Sequence, residues 1–597
     1  MNIFAAAPLR PLRRLLIANR GEIALRIIRA CRDEGMTAIA VYADCDRDAP
    51  FVEMADEAYA LGGDSPAATY LNAARIIDLA LAAGADAVHP GYGFLSERAE
   101  FAQAVAEAGL MWIGPPAEVI AALGDKTEAR RIAQAVGAPL VAGSPGPLAS
   151  AEEAVDFARR HGLPVAIKAA FGGGGRGLRV ARRLDEVAEL FAAATREAEA
   201  AFGRGECFVE SYLDRPRHIE AQVLADGHGT VKVIGTRDCS LQRRNQKLVE
   251  EAPAPFISDE LRGRIHASAR AICAHAGYIG AGTVEYLLSG DGRLSFLEVN
   301  TRLQVEHPVT EETTGIDLVR AMIRIAQGAR LADESLPETR GHAIEFRINA
   351  EDPARGFLPT PGPVTVFDTP SGPGVRIDSG VAAGSVVPAQ FDSLMAKLIV
   401  TGANRAEALS RAARALREFR IGGVASVLPF ARLVLDHPDF YADGGDFRIH
   451  TRWIEDDLPG AAAGALVPHP RVEPAESGPV LRLAVEIDGR RHVLGLPAGL
   501  LAALPATGAG PGHVTAATPG QADASGDDPA VVAAPMAGVL SRWLAADGDE
   551  VGEGQAIAVI EAMKTETPIT AHRSGPLTRI AAEGGMLGFG AALARIG

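Results

Sequence analysis

Short apolar runs alternate with helix-period segments through the early part of the chain. Leu15–Ala18, Ala38–Tyr42, Ala85–Val88 and Met111–Ile113 predict strands, and Glu22–Arg32, Tyr70–Ala83 and Arg98–Ala108 predict helices. Strand–helix alternation of this kind builds a parallel sheet. Asn19-Arg-Gly21 fills the first strand-to-helix turn, where a dinucleotide fold would carry three spaced glycines, so the architecture is inferred without NAD or FAD. From about residue 124 to 330 strands become more frequent and polar motifs concentrate, and residues 341–450 continue a mixed α/β pattern. Residues 456–479, rich in Ala, Pro and Gly, read as a connector. Val480–Ile487 alternates apolar and polar positions, then Asp488-Gly489 turns the chain into His492–Leu496, a hairpin signal. Pro505 to Pro529 holds one large aliphatic residue, Val514, and cannot bury enough apolar surface to order itself. As a coil it would span ~28 Å. Fully stretched it could reach ~85 Å. The remainder, from 530, shows short alternating strands between turn residues and predicts a small β domain.

Composition narrows the function classes. A chain of 597 residues with 48% hydrophobic positions should hold several globular domains. A net charge of −16 argues against nucleic acid or an anionic membrane as the main partner, so cations that bind an anionic substrate must be locally concentrated. No apolar run approaches the ~20 residues that span a bilayer. The five cysteines (Cys31, Cys45, Cys207, Cys239, Cys273) show no metal-ligand spacing and read as buried free thiols of a reducing compartment. Arg10, Arg13 and Arg14 lie among apolar residues as in a targeting peptide, but the strand at Leu15 leaves only about a dozen residues for one, and a cytoplasmic protein is expected.

Three stretches carry candidate chemistry. Lys168-Ala-Ala-Phe-Gly-Gly-Gly-Gly-Arg-Gly177 follows the apolar run Val165–Ile167. Without Cβ atoms its backbone N–H groups can approach an anion closely; a flexible surface loop is the competing reading. In Leu297-Glu-Val-Asn-Thr-Arg-Leu-Gln-Val-Glu306 the even positions are Glu298, Asn300, Arg302, Gln304 and Glu306. An extended chain would put all of them on one face. Glu345-Phe-Arg-Ile-Asn-Ala-Glu351 repeats the device with Glu345, Arg347, Asn349 and Glu351. Glu285, Glu298 and Asn300 are hard oxygen ligands of the kind Mg²⁺ (or Mn²⁺) takes beside nucleotide phosphates. Finally, Lys564 stands in Val559-Ile-Glu-Ala-Met-Lys-Thr-Glu566, flanked by Ala534-Pro-Met-Ala-Gly538 and Ala571-His-Arg-Ser-Gly575, which suggests a lysine on an exposed hairpin. A solvated surface lysine is the plain alternative.

The Lys564 segment resembles the attachment site of biotin-carrier domains, and Met563 before the lysine favours biotin over lipoyl; Thr565 departs from the methionine often found there. Asn19-Arg-Gly-Glu22, His89-Pro-Gly-Tyr-Gly-Phe-Leu-Ser-Glu97, Gly124-Asp-Lys126, the glycine run, Arg237-Asp-Cys-Ser-Leu-Gln-Arg-Arg-Asn-Gln-Lys247 and Glu298–Glu306 resemble biotin carboxylases over residues 12–450. Together the chain resembles the alpha subunit of a biotin-dependent acyl-CoA carboxylase, of the compact bacterial acetyl-/propionyl-CoA type. The resemblance implies an α/β biotin carboxylase with an ATP-grasp fold, followed by a linker and an all-β biotinyl/lipoyl-like barrel. Its divisions would be a Rossmann-like domain at 12–123, the ATP-grasp domain at 124–330, an α/β C-terminal domain at 331–450, a linker with a hairpin at 451–529 and the carrier at 530–597. It implies that Lys126, Lys168, Gly174, Gly175, Glu210, Leu213, His218 and Asn245 serve ATP, although family members often have histidine at the last position. Lys247, Arg302 and Val305 would bind bicarbonate, Glu306 would be the general base, and Arg347 would stabilise charge developing on the ureido group of biotin. For His89 and Tyr92 a structural turn is favoured over catalysis. Residues 450–530 are too few for a carboxyltransferase, so a separate beta subunit, a biotin-protein ligase and a homo-oligomer within a hetero-oligomeric holoenzyme are expected. Other acceptors (methylcrotonyl-CoA, geranyl-CoA, pyruvate, urea), a carbamoyl-phosphate-type ligase and a non-catalytic carrier scaffold are the alternatives.

Overall fold

The chain opens with five parallel strands in the spatial order β3-β2-β1-β4-β5: β1 (Arg14–Ile17), β2 (Thr37–Tyr42), β3 (Glu57–Ala60), β4 (Ala87–His89) and β5 (Met111–Trp112). The helices Gly21–Asp33, Ala73–Ala82 and Ala99–Glu107 lie between them, within three residues of the expected bounds. Strand β3 has no counterpart in the sequence pattern, because all four of its residues are half-buried and none alternates. This computed structural model describes residues 3–5, 9–169, 178–202, 205–332, 339–442, 445, 447–458, 466, 480–487, 490–497, 528, 530–563 and 565–597. Gly174, Gly175, Arg176 and Lys564 lie outside the described residues, as do the Asp488-Gly489 turn and nearly all of the expected linker from Pro505 to Pro529.

A second, three-stranded sheet runs β7-β6-β8, from β6 (Val165–Ala169), β7 (Leu178–Ala181) and β8 (Cys207–Ser211). The largest sheet has eight strands. In spatial order they begin β13-β12-β9-β10-β11-β14, then come the strands Leu394–Gly402 and Val375–Ser379. Here β9 is Arg217–Ala225, β10 Val231–Arg243, β11 Gln246–Ala252, β12 Gly280–Leu288, β13 Leu294–Asn300 and β14 His342–Asn349. Its two faces differ in chemistry. Along β9, Ile219, Ala221 and Val223 join Ile265, Ala269 and Ile272 of the helix Asp259–His275 in one core cluster. The alternate residues His218, Glu220 and Gln222 point the other way and are buried all the same. A buried polar face must pair its groups or lose stability.

The last described segment is two four-stranded antiparallel sheets, packed over Leu540, Ile557, Ile560, Leu577, Leu593 and Ile596. The strands Ala556–Ala562 and Thr565–Thr570 pair as a hairpin. Gly538 faces it: a Cβ there would stand 2.6 Å from the Glu561 carbonyl oxygen, so only glycine lets the strands approach this closely. Upstream, Val480–Ile487 and Arg490–Pro497 pair antiparallel as the alternation foretold. Four of the five cysteines are buried, whereas Cys45 is exposed, which corrects the expectation for that residue; it sits in a surface turn after β2. Among the described residues no helix is long and apolar enough to cross a membrane.

The seam between the large sheet and the helix Arg405–Glu418 is apolar along Ala408, Leu409, Ala412, Ala415 and Leu416, with an ionic anchor at its Arg405 end. Glu251 of β11 accepts from Arg405 Nε at 2.7 Å and lies 2.7 Å from His342 Nε2. Burial alone would raise its pKa, but Arg405 and His342 outweigh it and pull the carboxyl from 4.5 down to about 2. A depressed carboxylate stabilises the fold above its unfolded pKa, and that stability is lost as pH falls through the folded value. Glu251→Gln should therefore cost about 3 kcal/mol at pH 7, with the gap in Tm to the parent closing as pH falls from 4.5 toward 2. A gap independent of pH in thermal melts would contradict this account.

Candidate active site

Strand register lays charges in rows across the buried polar face. Glu298 of β13 stands opposite Glu285 of β12, Glu285 opposite Glu220 of β9, and Glu220 opposite Arg237 of β10. Farther along the sheet, Glu250 of β11 faces Glu345 of β14. Arg347 faces Lys397, and Lys397 faces Asp378. Cross-strand neighbours share a face and lie close enough to interact, so like charges in register need a counter-ion.

Lys247 supplies it. From β11 its ammonium reaches Glu220 Oε2 at 2.7 Å, Glu285 Oε1 at 2.9 Å and Glu306 Oε1 at 2.6 Å. Arg347 donates through Nε to Glu250 Oε1 at 2.5 Å and through Nη2 to Glu306 Oε2 at 2.9 Å. Both oxygens of the fully buried Glu306 are thereby held by cations. Arg237, also fully buried, donates to Glu220 Oε1 at 2.5 Å and Gln222 Oε1 at 2.6 Å. Burial by itself would raise the pKa of Glu306; Lys247, Arg347 and Arg237 reverse that and hold it well below the usual carboxylate range. Glu285 is likewise held down, by Lys247 and His218 against its burial. Glu250 goes the other way: desolvation lifts it to about 7 despite Arg347.

The stretch Leu297–Glu306 corrects one expectation. Strand β13 ends at Asn300, and residues 301–306 form a loop leading into the helix His307–Thr314, with Pro308 in its first turn. The functional groups nonetheless converge. Asn300 Nδ2 and Gln304 Nε2 both donate to Glu285 Oε1, at 2.8 and 2.9 Å. Arg302 donates to Asn300 Oδ1 at 3.2 Å, Gln304 Oε1 at 3.1 Å and Glu97 Oε2 at 3.0 Å. Glu97 belongs to the His89–Glu97 motif, which thus meets the loop. Val305 is half-buried, and its carbonyl accepts from Lys397.

His218 opens toward the same face: Nε2 lies 2.9 Å from Glu285 Oε2, and Nδ1 is 2.8 Å from Gln242 Nε2. Leu213 is buried. Lys168 pairs with Glu210 across β6 and β8. Lys126 is exposed at the start of the helix Lys126–Ala135 and helps draw down the Glu298 carboxyl, which burial and Glu285 push up. Asn245 sits with Arg244 at the β10–β11 turn, both at positive φ (65° and 48°), the left-handed pair that a two-residue hairpin demands and that asparagine tolerates well. Its side chain is exposed, outside the Lys247 cluster. His89 accepts from the Gly91 N–H and is buried, its pKa lowered to about 3 by desolvation. Tyr92 donates to Glu22.

Glu220, Glu250, Cys239 and Lys397 belong to the site and were missed in the sequence. Glu220 was findable, since it shares the period of His218 on an alternating strand; the others become neighbours only through strand pairing. Cys239 Sγ lies 3.8 Å from Glu306 Oε1, and burial keeps its thiol protonated.

Two carboxylates and an amide oxygen on the adjacent strands β12 and β13 fit a hard divalent cation, because Glu298 is pushed up partly by repulsion from Glu285 that a cation would relieve. Two tighter groups, His218–Glu220–Glu285 and Glu220–Cys239–Glu306, also bring ligand atoms within 4.8 Å of one another. There the Lys247 ammonium already stands where an ion would.

Models of known families match four stretches. "Biotin carboxylase, N-terminal domain" covers residues 11–120, "Carbamoyl-phosphate synthase L chain, ATP binding domain" 125–334, "Biotin carboxylase C-terminal domain" 345–456 and "Biotin-requiring enzyme" 530–596. The biotin-dependent acyl-coenzyme A carboxylase alpha3 subunit of Mycobacterium leprae is 55% identical over 96% of this chain and 96% of its own length. The chain belongs to the acyl-CoA carboxylase alpha-subunit family. The carboxylase part of this alpha subunit is similar to solved structures. The biotin carboxylase–β,γ-ATP complex from Campylobacter jejuni is 41% identical with a TM-score of 0.70, over 74% of this chain and 99% of that one. The biotin carboxylase domain of the Hydrogenobacter thermophilus 2-oxoglutarate carboxylase, solved with MgADP, ADP and bicarbonate, is 43% identical with a TM-score of 0.69, over 76% and 98%.

Removing Lys247 leaves three carboxylates facing one another without their shared cation. Lys247→Met should destabilise the alpha subunit by about 3–5 kcal/mol at neutral pH, the cost of a buried charge stripped of its partner. Urea titration of the variant and parent measures it; a difference under about 1 kcal/mol would show that the ammonium is not what holds the cluster.

Proposed function

We propose that this chain carboxylates biotin carried on its own Lys564, at the expense of ATP and with bicarbonate as carbon source, for delivery to an acyl-CoA such as acetyl- or propionyl-CoA on a separate carboxyltransferase beta subunit. The observation that carries the reading is the meeting of Lys247, Arg347 and Glu306 on one buried face beside Arg302 and Val305. That set can hold a small planar anion and take its proton.

Bound Mg²⁺ would offset charge on the transferred phosphoryl group, held by Glu285, Glu298 and Asn300, and biotin would supply the ureido nitrogen that accepts CO₂. Glu306 is ionised at neutral pH, as a base must be, yet its two cations leave it little proton affinity. Bicarbonate resolves the conflict by competing for the same donors. As Lys247 and Arg347 turn to the substrate, Glu306 loses stabilisation and becomes basic just where the proton lies. The oxygen so exposed can attack the γ-phosphate, which Lys126 and Lys168 would help to hold, displacing ADP to give carboxyphosphate; its breakdown would supply CO₂ and a phosphate able to take the ureido proton. Arg347 stays aimed by Glu250, with its fork available to charge that develops on the ureido oxygen.

The carrier is seated on the carboxylase. Met563 N–H donates to the Ala389 carbonyl at 3.1 Å. The Met563 side chain is buried in the same cluster as Phe357, Val387 and Met395, and Leu358 packs on the carrier core. This contact supports charging within one chain, with the residue before the lysine as the key. The divisions 12–123, 124–330, 331–450, 451–529 and 530–597 follow from this reading. So do a cytoplasmic location, a biotin-protein ligase that loads Lys564, and a homo-oligomeric alpha subunit within a hetero-oligomeric holoenzyme. Pyruvate or urea as acceptor is the second reading, and assays of candidate acceptors with the beta subunit separate them.

The biotinylated chain should hydrolyse ATP only with bicarbonate present and take label from bicarbonate onto the Lys564 peptide. Glu306→Gln should lower both rates by about 10²-fold or more with nucleotide binding intact. Undiminished carboxylation in that variant would end the assignment of the base. Met563→Asp should slow charging of the tethered biotin while carboxylation of free biotin, measured in the same preparation, is unchanged; equal loss in both assays would remove the seat.

A further inference from the structure

Lys397 has no part in the scheme above, yet it is fully buried with its charge. It lies on the strand Leu394–Gly402, in register between Arg347 and Asp378. Its Nζ donates to the Val305 carbonyl at 3.0 Å and stands 3.1 Å from Glu22 Oε1. Glu22, in the first turn of the helix Gly21–Asp33, closes the Asn19-Arg-Gly-Glu22 motif and also accepts from Tyr92. A buried ammonium is costly unless paired, and Glu22 and the row-mate Asp378 offset it. Asp378 is itself fixed by Arg376 at 2.7 Å. Glu345, the other acid near Lys397, is fully buried with both oxygens lacking hydrogen-bond partners, and desolvation pushes its carboxyl well above the usual carboxylate range.

What Lys397 touches matters more than what neutralises it. Residues 301–306 have left strand β13 and are not yet helix, so no ladder of backbone bonds fixes them. The Val305 carbonyl belongs to the peptide that leads directly into Glu306. A cation paired with Glu22 cannot shift without breaking that ion pair, so it holds the peptide plane more firmly than a neutral donor could.

We propose that Lys397 is a positioning residue for biotin carboxylation. By donating to the Val305 carbonyl from a seat anchored on Glu22, it sets the direction in which the Glu306 carboxylate meets bicarbonate. This rests on Glu306 being the base. The Asn19–Glu22 motif thereby gains a role, since it anchors the lysine.

Two variants test it, both in the full biotinylated chain. Lys397→Met keeps the volume and removes the charge and the donor. Lys397→Met combined with Glu22→Gln also removes the acid left unpaired, which restores charge balance to the core. If Lys397 positions the base, the double variant melts near the parent temperature and binds MgADP with a Kd within about twofold of it. It still loses about tenfold or more in kcat/KM for bicarbonate in the ATPase assay. Recovery of kcat/KM in the double variant would mean that Lys397 only neutralises Glu22, and would overturn the proposal. Failure of both variants to fold, judged by melting and MgADP binding, would assign Lys397 to the core and overturn it equally. A parent chain without bicarbonate-dependent ATP hydrolysis would instead remove the base assignment on which the proposal stands, so the two failures are told apart.

Discussion

One ammonium group, that of Lys247, allows the buried face of the large sheet to exist. Register alone places Glu298, Glu285 and Glu220 side by side, and Glu306 arrives beside them from a loop. Acids this close cannot all ionise without a cation among them. Lys247 meets three of them at 2.6–2.9 Å and helps hold the Glu285 and Glu306 carboxyls below the usual carboxylate range. The arrangement is stable but not inert. Its cation is held by hydrogen bonds to side-chain carboxylates, so on the proposed reading an entering anion would compete for it without a strand having to move.

That economy explains the sheet's asymmetry. On β9, one face contributes aliphatic side chains to a core shared with the helix Asp259–His275, and the other carries His218, Glu220 and Gln222 before Leu224 returns to an apolar core. The close-packed aliphatic face holds the strands in place, and strand spacing then fixes how far apart the charges stand. Precision at the site is therefore inherited from packing on the opposite side, and loops are used only where a group must turn, as at Glu306.

Much of this was legible in the sequence, and the gaps have physical reasons. Period-two alternation marked Glu298, Asn300, Arg302, Gln304 and Glu306 as a set, and they do gather. It misjudged the backbone from Thr301 onward, since a loop that folds back before a helix can show the same alternation as a strand. Alternation placed Glu345 and Arg347 on one face, and both lie on β14, yet of the two only Arg347 makes side-chain hydrogen bonds. Alternation says which face a side chain takes, not whether anything waits there. Glu250 and Lys397 were invisible for a related reason: each meets the site through a residue more than ninety positions away in the chain, 97 for Glu250 and 92 for Lys397. Strand β3 went unseen because an edge strand half-exposed along its whole length has no contrast to read.

The carrier end adds a constraint of its own. A swinging domain must be held strongly enough to present its lysine and weakly enough to leave. Among the described residues, the seat on the carboxylase uses the Met563 backbone hydrogen bond, the buried Met563 side chain and the flank of Leu358. A single hydrogen bond contributes about 1 kcal/mol net. One buried apolar side chain contributes about 1.5–3 kcal/mol. Carriage on the same chain turns a bimolecular encounter into an intramolecular one, so a small contact can dock a domain and still let it leave. Methionine suits the key position for the same reason. It is unbranched and polarisable, and it can bury against more than one surface without a close-fitted pocket on each.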